Sequence, residues 1–129
     1  MKTVCGTFEV KLEPKPDVFA EGVPLNALTI DKVLSGPLSG TTKGMMMSAM
    51  GGVKGSAGYV ALEVVTANLE GRAGTFVLQH SGIMDRGQPS LTVQVVPDSG
   101  TGELEGIKGT LDIKVESGVH AYEFTYGLG

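Results

Sequence analysis

Glycine sets the rhythm of this chain. The run Pro97-Asp98-Ser99-Gly100-Thr101-Gly102-Glu103-Leu104-Glu105-Gly106-Ile107-Lys108-Gly109 is a glycine-punctuated turn region between two strand-like runs, 91–96 and 110–116. Glycine tolerates the positive φ of tight turns and weakens strand interiors, so it falls naturally between strands. The arrangement recurs along the whole chain, which predicts a meander of antiparallel strands closed into a barrel. Gly accounts for 20 of 129 residues, about twice the usual share of roughly 7%. There is no collagen-like period and 41% of residues are hydrophobic, so the glycines punctuate strands and do not mark disorder.

Turn residues and alternation divide the chain into eight strands. Residues 4–12 place Phe8, Val10 and Leu12 on one face and Thr7, Glu9 and Lys11 on the other. Three prolines make 13–24 a loop. A second strand, 28–35, ends at Gly36-Pro37, and a third, 38–50, is rich in Met. The turn at 51–55 leads to a fourth strand, 56–69, and Glu70-Gly71 turns tightly into a fifth, 75–81. Pro89 opens the sixth, 90–96, where a missing N–H is tolerated. The seventh, 110–116, sets Leu111, Ile113 and Val115 against Asp112, Lys114 and Glu116, and Gly118 turns the chain into an eighth, 119–126. The predicted fold class is all-β: an antiparallel up-and-down β-barrel of about eight strands forming a single domain over 1–129. A two-sheet sandwich is the alternative. A barrel of about eight strands has an interior wide enough for packed side chains or one small ligand.

Composition excludes several functions. The formal net charge is -4 and the Lys and Arg residues are scattered, so nucleic acid and anionic membrane surfaces are not expected partners. Cys5 stands alone, which rules out an internal disulfide framework and reads as a small buried hydrophobe. No apolar run approaches the ~18 residues of a membrane span, and the first residues lack the apolar stretch of a signal peptide. A cytoplasmic protein is expected. There is no Gly-x-Ser-x-Gly elbow and no His-Glu-x-x-His; two isolated His and one Cys are a poor metal set. Gly100-Thr101-Gly102 lacks the spacing and the following helix of a dinucleotide loop. No cofactor and no metal are expected.

Two segments carry a resemblance. Thr75-Phe76-Val77-Leu78-Gln79-His80-Ser81-Gly82, preceded by Leu69-Glu70-Gly71-Arg72-Ala73-Gly74, resembles the signature of an uncharacterised bacterial family of small single-domain proteins. The run from Val95 to Gly109 resembles the second signature of that family. The similarity covers roughly 57–126. It implies a fold similar to the allene oxide cyclase-like barrels, and the Gly-Thr-Gly turn is similar to that of allene oxide cyclases and dirigent proteins. It implies no activity, because kinship in fold is not kinship in function.

One hairpin carries candidate chemistry. With Glu70-Gly71 at its centre, Leu69 faces Arg72, Val65 faces Phe76, Glu63 faces Leu78 and Ala61 faces His80. Side chains alternate with period two, so Tyr59, Ala61, Glu63 and Val65 share a face with Phe76, Leu78 and His80. Glu63 and His80 become diagonal neighbours within reach of one another. If this face lines the barrel, a carboxylate and an imidazole point into an apolar interior, as in ligand or acid–base sites. The bland reading is a satisfied core pair, and Val60, Leu62 and Val64 make the opposite face the more apolar one. On the last strand His120, Tyr122, Phe124 and Tyr126 share a face, read first as core, with Tyr122 a candidate ligand contact. Met45, Met46 and Met47 put Met on both faces of the third strand, as core or interface packing.

The candidate ligand-binding residues are thus Glu63, His80, Tyr59 and Tyr122. The leading function is binding of a small apolar or amphipathic molecule in the cavity, with Glu63, His80 and Tyr59 holding its polar end. The alternatives are an isomerase or cyclase using Glu63 or His80 for proton transfer, and a structural protein with a filled barrel. Apolar residues on both faces of the fourth strand predict a homo-oligomer, most simply a dimer, unless the 13–24 loop covers the outer face.

Overall fold

The computed structural model describes residues 1–129. Eight strands run in chain order: β1 (Lys2–Pro14), β2 (Asn26–Ser35), β3 (Leu38–Met50), β4 (Ala57–Leu69), β5 (Arg72–Asp85), β6 (Gln88–Val95), β7 (Lys108–Glu116) and β8 (Val119–Gly127). Each pairs antiparallel with its neighbours, and β8 returns to β1, so the sheet closes into an up-and-down barrel. The only helical element is a short 3-10 turn, Gly102–Leu104, and no helix is long and apolar enough to cross a membrane.

Three hairpins share one device. Glu70-Gly71, Arg86-Gly87 and Ser117-Gly118 each place a non-glycine residue at φ near 50° before a glycine at φ 79–91°. Two positive φ angles in succession match the twist of the flanking strands, and glycine accepts the second without strain. The β4–β5 register follows from that turn: Leu69 opposite Arg72, Val65 opposite Phe76, Glu63 opposite Leu78, Ala61 opposite His80.

The inward face of β4 is the one bearing Tyr59, Ala61, Glu63 and Val65. The more apolar set, Val60, Leu62 and Val64, faces out and is about half exposed. The charged face can turn inward because Lys32, Thr42 and His80 from the neighbouring strands satisfy Glu63 inside the barrel. The loop between β1 and β2 does not cover that outer face.

The two ends of the barrel differ. One end is filled: Leu38, Val65, Leu69, Phe76, Phe124, Leu104 and Ile107 are all almost wholly buried. The Phe76 and Phe124 rings stack with centroids 5.7 Å apart. Leu104 and Ile107 come from the β6–β7 connection, which folds beneath the barrel as a plug. The same connection takes over where β6 stops pairing with β5. Thr101 N–H donates to the Thr75 carbonyl, Thr75 N–H to Thr101 Oγ1 and Val77 N–H to Ser99 Oγ. The glycine-rich signature is therefore a substitute strand edge, which satisfies backbone groups that would otherwise be unpaired.

The other end carries the long β1–β2 connection and the β3–β4, β5–β6 and β7–β8 turns, and it is looser. β6 and β7 share a single register pair, Gln94 with Thr110. Towards this end the two strands have no ladder between them.

Two local expectations change. β5 runs to Asp85, beyond the expected end at Ser81, because Gly82 continues the strand beneath the Tyr59 ring. A Cβ at Gly82 would meet Tyr59 Cε1 at 2.1 Å. Cys5 is exposed and not buried, since it alternates outward between the inward Val4 and Gly6 on β1.

Candidate functional site

Midway along the barrel lies a layer of polar side chains from four adjacent strands. Lys32 (β2), Thr42 (β3), Glu63 (β4) and His80 (β5) are the buried polar and charged residues of the chain. Each sits on the inward face by strand alternation. Glu63 is the hub. Its Oε1 lies 3.0 Å from Lys32 Nζ and 2.7 Å from His80 Nε2, and Thr42 Oγ1 donates to Oε2 at 2.8 Å. Glycine opposite the hub makes room for it. Gly44 pairs with Glu63 across the β3–β4 ladder, and a Cβ there would stand 2.6 Å from Glu63 Cα.

The electrostatics follow from these contacts. Burial pushes the Glu63 carboxyl up, but the His80 hydrogen bond and the Lys32 ammonium outweigh it and hold the group at about 2, against an ordinary 4.5. Glu63 is therefore a carboxylate. Two hydrogen-bond acceptors would not approach to 2.7 Å, so His80 Nε2 carries a proton and donates it. The Lys32 ammonium also lies over the Phe8 ring, 5.0 Å from its centroid, a second stabilising contact for a buried cation.

Above this layer, towards the loose end, is a hollow of about 390 Å³ with almost wholly apolar walls. Met46, Ala57, Tyr59, Met84, Pro89 and Leu91 contribute to them. Tyr59 is the link between the hollow and the polar layer, two residues beyond Ala61 and four from Glu63 on the same face of β4. Burial, and then the negative charge of Glu63, push its phenol above the usual 10. The Tyr59 hydroxyl and His80 Nδ1 make no hydrogen bond within the protein, and neither is sealed from solvent-sized space.

Sequence reasoning brought Glu63, His80 and Tyr59 together correctly as neighbours on one face. Tyr122 goes elsewhere. Its hydroxyl accepts from Leu38 N–H at 3.0 Å and lies 2.9 Å from the Leu38 carbonyl and 3.1 Å from that of Ser35, tying the β2–β3 turn to β8. Lys32 and Thr42 were missed. Lys32 carries a signal: it alternates with Ile30 and Leu34, and so interrupts an apolar inward face. A second hollow, about 510 Å³, lies beside Phe8 and His120, but outward residues such as Thr7, Glu9 and Ser35 form much of its wall.

Fold and site together define a class: a closed eight-stranded antiparallel barrel, plugged at one end, with a buried charge cluster beneath an apolar mouth. The chain belongs to a family described as "Protein of unknown function (DUF3224)", whose model matches residues 4–126. It is similar to a protein of unknown function of that family from Shewanella oneidensis MR-1, solved by crystallography. The two are 49% identical with a TM-score of 0.94, over 100% of this chain and 98% of that one. No curated protein matches the chain.

Proposed function

We propose that this barrel binds a small apolar or amphipathic molecule in the hollow at its loose end. The observation that carries the reading is the apolar hollow itself, with Tyr59 in its wall on the same inward face of β4 as the buried Glu63. Ligand sites are mostly apolar with a few placed polar groups, and this hollow has the size of such a site. The unpaired stretch between β6 and β7 supplies a lateral way in.

Glu63 is a poor candidate for proton abstraction. A carboxylate held at about 2 by three donors has little basicity at neutral pH. Its role is to fix the ring and tautomer of His80 and to neutralise Lys32. The binding reading therefore outranks an isomerase or cyclase that uses Glu63 as its base.

The test is amide NMR with 1-octanol as probe. Shifts confined to Met46, Tyr59, Gly82 and Leu91 are expected. Saturating probe that moves none of these resonances overturns the reading.

A further inference from the structure

We infer that the seam between β6 and β7 is a gated port, which admits a small apolar molecule to the hollow and zips shut behind it with Leu91 opposite Ile113. This rests on the binding reading above and adds how the ligand enters and is kept.

The first argument is register. Gln94 opposite Thr110 is the one rung that the two strands share. Continued outward in the antiparallel sense, it sets Val93 against Leu111, Thr92 against Asp112, Leu91 against Ile113 and Ser90 against Lys114. Alternation then brings Val93, Leu91, Leu111 and Ile113 together on the inward side, with the other four outside. β6 is fully paired with β5 on its other side, and β7 with β8, so the two open edges are the ones that face each other. Pro89 has no N–H to add and ends the run at the rim.

The second argument is burial. Val93 and Leu111, beside the shared rung, are 2% and 5% exposed. Leu91 and Val115 alternate inward too, yet they are 41% and 60% exposed. The seam opens progressively towards the rim. Zipping covers these apolar side chains and pairs the open edges, and both effects favour closure.

The third argument is coupling. Leu91 and Pro89 belong both to the seam and to the wall of the hollow. Closed over an empty hollow of about 390 Å³, they face space without partner atoms. A ligand supplies those contacts in the closed state, and this difference between the two states shifts the seam towards closure.

The experiment uses the full chain with 1-octanol as probe. In the native protein, saturating octanol should slow amide hydrogen exchange over residues 111–114 about tenfold or more. In a Cys5→Ser background, which removes the exposed thiol, Thr92→Cys with Asp112→Cys should form a disulfide, faster with octanol present. The offset pair Thr92→Cys with Lys114→Cys should lag behind it. Once oxidised, the locked barrel should lose octanol uptake, and reduction should restore it. Circular dichroism confirms that each variant is folded. If the offset pair cross-links as readily, the register is wrong and the zipper falls. If octanol shifts Met46 and Tyr59 but leaves exchange over 111–114 unchanged, or enters the locked barrel as fast as the reduced one, the gated port is overturned while the binding site stands. If octanol moves none of the mouth resonances, both fall.

Discussion

Gly44 lies directly opposite Glu63 in the β3–β4 ladder, and the absence of a side chain there lets the charged hub sit against the neighbouring strand. The added methyl of Gly44→Ala would stand 2.2 Å from the Leu62 carbonyl oxygen and 2.6 Å from Glu63 Cα, both backbone-fixed. The strands must part to admit it. Gly44→Ala should cost about 1–3 kcal/mol, the usual range for overpacking. Urea denaturation checks this, and an unchanged midpoint would show that the ladder yields easily.

Removing one member of the charge cluster strands the rest. Glu63→Leu leaves the Lys32 ammonium buried with only the Phe8 ring for company. A loss of about 3–5 kcal/mol is expected, as for other broken buried pairs. Lys32→Met combined with Glu63→Leu should recover much of that, since no isolated charge remains. A double variant no more stable than Glu63→Leu would mean that the ion pair is not the source of the loss.

The depressed carboxyl has a pH signature. Glu63 titrates near 2 in the fold against an ordinary 4.5, so its contribution is fully present above about 4.5 and is lost as pH falls towards 2. The gap corresponds to something on the order of 3 kcal/mol. Urea midpoints for the native chain should fall steeply over that window. Glu63→Gln should flatten the fall, and equal slopes for the two proteins would contradict the assignment.

Tyr122 holds the filled end. Tyr122→Phe deprives the buried Leu38 N–H of its acceptor and the turn carbonyls of their donor. The expected cost is about 1–3 kcal/mol. Amide hydrogen exchange at Leu38 should quicken in the variant, while binding at the far mouth stays as it was. Unaltered exchange at Leu38 would show that another group replaces the hydroxyl.

The outer face of β3 and β4 exposes Met45, Met47, Val60, Leu62 and Val64 side by side. A contiguous apolar patch of this kind on a barrel wall predicts pairing of two copies across a two-fold axis. Sedimentation at micromolar concentration should give a dimer, and Leu62→Lys should give a monomer. A monomeric native chain would rule the pairing out.

Much of this molecule is legible locally. Dipeptides such as Glu70-Gly71 accept two positive φ angles, so each determines a hairpin and, through it, a register. That register alone makes Glu63 and His80 neighbours, because the side-chain period of a strand is two. Strand number and the meander likewise follow from turns and alternation. Three matters needed the closed barrel. Which face of β4 turns inward was one: local hydrophobicity favours Val60, Leu62 and Val64, yet the lumen takes Ala61 and Glu63 beside Gly44. The partners of Glu63 were another, since Lys32 and Thr42 reach it from strands 31 and 21 residues earlier. The separation of Tyr122 from the other candidates was the third. Turn geometry is encoded in adjacent residues, whereas interior neighbours depend on how the strands stagger when the sheet closes on itself.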